Sequence, residues 1–133
     1  MNTVYPVVPR PYFRMTQRSK WSIPAQKYSR WKGDLQALNF DIPDCGASLV
    51  FRMPMAKSWS KKKKAEMLGK AHQQTPDLDN LIKSALDAAK QYKGGDESIW
   101  HLGGAMKVWA EEGSIEVRVP IEEAIAEAER QCR

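Results

Sequence analysis

The sequence predicts an α+β fold, because helical and strand-like periodicities both occur along its 133 residues and are separated by Pro- and Gly-containing breaks. Two observations carry this prediction. In PDLDNLIKSALDAAKQ, Leu78, Leu81, Ile82, Ala85, Leu86 and Ala89 fall on one helical stripe. After Gly113, Ile115, Val117 and Val119 alternate with Glu116 and Arg118, which is the period of a strand.

The other elements follow in order. Pro6, Pro9 and Pro11 exclude a helix at the start and leave an extended edge segment or arm. From Pro24 the pattern turns helical, with Tyr28, Trp31, Leu35 and Leu38 at steps of three or four. Asp41 to Gly46 reads as a turn, and Ala47 to Met53 as a strand. In the loop that follows, Ser60 is placed to cap a short helix over 61–68, with Gly69 as its stop. Gly94 and Gly95 end the central helix. Ser98 to Ala110 is expected to be a strand interrupted near Gly103-Gly104, and Pro120 to open an acidic last helix over 121–131.

Length and composition point to one domain over 1–133, long enough to bury one core. No apolar run reaches a membrane-spanning length, and no signal-peptide pattern is present, so a cytoplasmic protein is expected. Cys45, Cys132, His72 and His101 lack the close spacing of zinc ligands and are expected to be incidental.

Charge divides the chain. Residues 1–75 carry 14 Lys and Arg against 4 acids, whereas residues 76–133 carry 7 against 12. Nine of the twelve aromatics also lie in the basic half, interleaved with cations such as Arg14, Arg18, Lys20, Lys27 and Lys32. Cations neutralise phosphates and aromatics stack on bases, so the division suits a polyanionic ligand brought to a carboxylate cluster.

The polar edge of the central helix supplies that cluster. Asp77 and Asp79 lie at its start, and Lys83 and Asp87 follow Asp79 at four-residue steps. Asp96 comes after the glycine turn. Carboxylates beside a lysine suit metal-assisted phosphodiester cleavage. An aspartate at a helix start is also good capping chemistry, with Thr75 or Asp77 as the cap and Pro76 just inside. Both alternatives stand on pattern alone.

The run MPMAKSWSKKKKAEMLGKAHQQTPDLDNLIKSALDA, from Met53 to Ala88, resembles phage and prophage members of the RusA family of Holliday junction resolvases. DLDNLIK matches the family's D-x-D-N-x-x-K core. The resemblance therefore implies Asp77, Asp79 and Asp96 as catalytic, metal-binding aspartates and Lys83 as a catalytic lysine. Gly95 stands where the family has a further acid, and Glu97 is the alternative ligand. It also implies a small mixed β-sheet with helices packed on it. The expected activity is Mg²⁺-dependent endodeoxyribonuclease, with Mn²⁺ as the other metal, resolving four-way junctions by paired symmetric cuts. The alternative is an inert or weakly active protein that binds branched DNA. Because a junction has two-fold symmetry, a homodimer is expected. Arg14, Lys20, Lys61, Lys62, Lys63, Lys64 and Lys107 are the expected DNA contacts. Trp59 is left as core or DNA-facing, and Trp100 is expected in the core.

Overall fold

Strand β2 (Ala47–Pro54) is the centre of the molecule, and its alternation decides where everything else packs. Ala47, Leu49, Phe51 and Met53 all point to one face and are buried in a single apolar cluster. In the computed structural model, which describes residues 2–89, 96–119 and 130, β2 has a strand on each side. The sheet order is β1-β4-β2-β3, with β1 at Asn2–Tyr5, β3 at Leu102–Ala110 and β4 at Ser114–Arg118. β3 runs parallel to β2, while β4 is antiparallel to both β2 and β1. The sheet is therefore mixed.

Helices α1 (Ile23–Ala37) and α3 (Leu78–Ala88) cover the cluster face. Tyr28, Trp31 and Leu35 of α1 and Leu81, Ala85 and Ala88 of α3 meet Phe51, Ile115 and Val117 there. Ser22 starts α1 by accepting from the Ala25 amide at 3.3 Å, and Asn39 ends it in the left-handed region at φ 57°. The two helices are clamped by a polar contact. The Tyr28 hydroxyl donates to Asp87 Oδ2 at 2.8 Å, and Lys32 Nζ donates to the same oxygen at 3.1 Å. Burial, with Asp87 as the next cause, pushes the Tyr28 phenol far up, so it stays a donor at every physiological pH.

Helix α2 (Lys61–Met67) begins at Ser60, whose Oγ accepts from the Lys63 amide at 3.1 Å, and stops at Gly69, φ 80°. The strand interruption expected at Gly103-Gly104 is a register shift: Ala47 pairs with Leu102 but Ser48 with Gly104, leaving Gly103 as the extra residue. A Cβ on Gly103 would lie 3.2 Å from Ser48 Oγ, which suits a residue without one.

Two expectations are corrected, for residues 98–101 and for Trp100, and two burial states depart from simple pattern, at Leu38 and Glu116. The stretch 98–101 is not strand: Asp96–Ser98 forms a 3-10 turn, and the Trp100 and His101 amides both donate to the Asp44 carbonyl. Trp100 is 51% exposed rather than core, because that turn lies off the sheet. Leu38 is 44% exposed, since α1 ends at Ala37 and the stripe no longer continues. Glu116 is buried despite its place on the polar register of β4. The Gly94-Gly95 stop and the helix over 121–131 lie outside the described residues, apart from Arg130, as does Cys132.

Glu116 is on the sheet face opposite the apolar cluster, held by Arg118 and by Arg52 Nη2 at 2.9 Å. The Arg118 hydrogen bond is the main cause that holds this carboxyl below its ordinary value of 4.5; burial opposes it, and Arg52 adds to the depression. A depressed carboxylate adds stability above its unfolded pKa and loses it as pH falls through the folded value. Glu116→Gln is therefore expected to cost about 1–3 kcal/mol near pH 7, a cost that fades as pH falls through the depressed folded value. Urea unfolding from pH 3 to 7 measures this, as a flatter pH dependence in the variant.

Candidate active site

The site begins with one lysine on strand β3. Lys107 pairs with Phe51 in the β2–β3 register, so its side chain rises from the helix-bearing face of the sheet. Its ammonium donates to the carbonyl of Gln74 and to that of Pro76, the latter at 2.6 Å. The preceding chain is fastened along the outer edge of the same strand. Ala71 bridges Val108, the His72 amide donates to the Lys107 carbonyl at 3.0 Å, and the Trp109 amide donates to Lys70 at 2.9 Å. Residues 70–76 are thus held against β3, and the next residue is Asp77.

Asp77 is the N-cap of α3, with extended backbone at φ −67° and ψ 148°, but its side chain makes no cap hydrogen bond. Pro76 consequently lies outside the helix, not just inside it. Asp79 occupies the first helical turn. Asp77, Asp79 and Lys83 are exposed. Among the described residues none of the three side chains takes part in a hydrogen bond or ion pair, and the four-residue pair Asp79–Lys83 is not formed. The capping role is therefore not exercised by the Asp77 carboxylate, and both carboxylates are uncommitted. Asp87, in line with Lys83, has a different task, since it clamps α1.

Asp96 opens the 3-10 turn before β3, and its side chain lies outside the described residues; Glu97 is exposed. Among the described residues no three His, Cys, Asp or Glu side chains are grouped closely enough to hold a metal ion. Two uncommitted aspartates nevertheless fit a hard cation such as Mg²⁺, which is commonly bound by one or two carboxylates together with waters and substrate phosphates.

Concave surface lies along α3 and ahead of it. The N-terminal arm docks by donating the Tyr12 amide to the Asn80 carbonyl at 3.1 Å. This forms a groove of about 580 Å³ lined by Tyr12, Arg14, Lys83, Leu86 and Asp87. Before α3, Trp59, Lys63, His72, Gln74, Thr75 and Trp109 line a second hollow of about 450 Å³. A third concavity, of about 390 Å³, opens on the far face of the sheet by Ser48, Met106 and Arg118 and contains no residue of this cluster.

The expected DNA contacts divide. Arg14 lines the groove beside Lys83, and Lys61, Lys62 and Lys63 are exposed on α2 with Lys64 half-buried. Lys20 lies over the Trp21 ring at 5.6 Å, and Lys63 over Trp59 at 4.1 Å. Lys107, also among the expected DNA contacts, has its ammonium on two carbonyls and so positions the turn before Asp77. His72, expected to be incidental, is 5% exposed and packs on Trp109 with ring centroids 4.3 Å apart. Its signal was its place five residues before Asp77 in the fastened segment. His101 is structural too, accepting from the Gly46 amide at 3.1 Å, with Cys45 Sγ 3.8 Å away.

Over residues 5–120 the chain matches the profile of the family described as Endodeoxyribonuclease RusA. The chain belongs to the RusA family. No curated protein and no solved structure matches it. RusA membership makes it a nuclease of the DNA junction-resolving type and covers every element from the end of β1 through β4. No helix among the described residues is long and apolar enough to cross a membrane.

Lys107→Met should release the 74–76 turn. The expected result is a stability loss of about 1–3 kcal/mol and a fall of about tenfold to a hundredfold in DNA cleavage at saturating substrate. A KM that changes little would mark displacement of the aspartates rather than loss of a DNA contact, and Lys107→Arg should recover part of the rate.

Proposed function

We propose that this RusA-family chain is a Mg²⁺-dependent endodeoxyribonuclease, with Mn²⁺ as an alternative metal, that resolves four-way DNA junctions by paired symmetric cuts as a homodimer. The observation that carries the reading is the pair of uncommitted carboxylates, Asp77 and Asp79, at the start of a helix whose approach is fixed by Lys107. Asp77 and Asp79 would hold the metal, with Asp96 as the third ligand the family resemblance implies. When bound, the cation would supply charge to polarise the scissile phosphate and acidify an attacking water.

The chain's own residues account for the remaining work. Lys83, one turn beyond Asp79, offsets negative charge that develops on the phosphate as the bond breaks. Arg14 on the docked arm and Lys61, Lys62 and Lys63 on α2 offer cations for the flanking phosphates. Contacts of this kind hold the strand in register without reading its sequence. Two sites related by a dyad match the two equivalent strands of a junction, which is the argument for a homodimer.

The test is a labelled synthetic four-way junction incubated with the wild type and with Asp79→Asn, in Mg²⁺, Mn²⁺ and EDTA. Symmetric nicks are expected from the wild type in either metal and none in EDTA. Asp79→Asn should lower the rate by about a hundredfold or more while still binding the junction. Tight binding with intact junctions in both metals would instead identify a branched-DNA-binding protein without catalysis.

A further inference from the structure

The hollow ahead of α3 has features that a packed core would not leave. Trp109 is 7% exposed and forms its wall, with Trp59 at 4.8 Å and His72 at 4.3 Å between ring centroids. Lys63 stands over the outer aromatic, 4.1 Å from the Trp59 ring centre. His72 is buried, yet its Nδ1 has no hydrogen-bond partner. Burying a polar atom unpaired is costly, so a covered, unpaired Nδ1 on a residue that lines an open hollow points to a missing partner. The hollow, about 450 Å³, is within the size range of small-ligand sites.

We propose that this hollow receives one unstacked nucleobase of the DNA strand whose neighbouring phosphate lies at Asp77 and Asp79. The inference rests on the nuclease reading above and names the part of the substrate that its site grips. Trp59, half-buried at the mouth, offers its ring for stacking, which tolerates any base, with the buried Trp109 packed behind it. His72 lines the hollow with its Nδ1 covered in this structure, so the nitrogen meets the base edge only once the rings part to admit the base; burial, followed by the charge of Lys107, lowers its pKa, so the ring is neutral at pH 7 and its nitrogens are one donor and one acceptor. Lys63, at the mouth, meets the phosphate of the same nucleotide. Gln74 and Thr75 line the hollow, and two residues later comes Asp77, at most about 7 Å of chain away. Base and scissile phosphate would therefore be held by one continuous, Lys107-fastened segment. A branch point suits this arrangement, because unstacking a base costs least where the duplex is already interrupted.

A thermodynamic cycle between protein and base tests the proposal. Four-way junctions carrying a single abasic site at successive positions around the cut are titrated with wild type, Trp59→Ala and Lys63→Met in Ca²⁺, and cleavage is followed separately in Mg²⁺. One abasic position, within a nucleotide of the cut, should weaken wild-type binding about five- to a hundredfold. For Trp59→Ala the intact junction should already bind that much more weakly, with no further loss at the abasic position. Lys63→Met, at an exposed site that folding does not require, should weaken the intact junction more than the abasic one. Equal losses from the abasic site in wild type and both variants, or none at any position, would overturn the pocket. Because binding is read in Ca²⁺, a protein that binds junctions and shows the cycle but never cuts would refute the nuclease and leave the pocket standing. A protein that cuts without showing the cycle would do the reverse.

Discussion

The parallel pairing of β2 with β3 is the constraint on which the rest of this structure depends. Parallel neighbours cannot be joined by a tight turn, so a long crossover is obligatory. Here the crossover starts after Pro54 and ends at Leu102, and it contains α2, the His72 segment and α3. The aspartates, the catalytic lysine of the reading above and the basic α2 all lie on this one connection. β4 then takes the other side of β2, which leaves β3 at the end of the four-stranded sheet. Such an edge invites pairing by any passing strand. The chain occupies part of it with its own residues 70–72, and that covering is what brings His72 and the approach to Asp77 into place.

Lys107 joins this scaffold to the chemistry. Lys107 is half-buried on a register position that faces the helices, where its ammonium needs partners. It finds them in two carbonyls of the segment that leads into α3. The same charge lies close enough to His72 to help keep that imidazole neutral. One side chain thus aims the helix start and conditions the hollow beside it. On the other side of α3, the Asp87 clamp to Tyr28 and Lys32 and the Tyr12 contact to Asn80 prevent the helix from rotating away.

Much of the fold was legible from local chemistry. Ser60 and Gly69 bracket α2 as their capping preferences require, and the apolar stripe of α3 is the face it buries. Gly103 marks the irregularity in β3, where the register shifts by one residue. What misled was surface that looked apolar or polar by type alone. Trp100 lies exposed on a turn held at Asp44, and Glu116 is buried because Arg52 and Arg118 converge on it from neighbouring register positions.

The sequence by itself determined the element order, the basic and acidic halves, and the D-x-D-N-x-x-K core that ties the chain to a nuclease family. The element order rests on periodicity and caps, which act over a few residues, and the family tie rests on the resemblance of the motif. Only the tertiary structure decided that Lys107 holds the Gln74 and Pro76 carbonyls, that Asp77 leaves its carboxylate uncapped, and that His72 lines a hollow with Trp59 and Trp109. The Lys107 and His72 contacts depend on partners more than a dozen residues away and on the register between strands, and no local pattern encodes which distant atoms a side chain will meet.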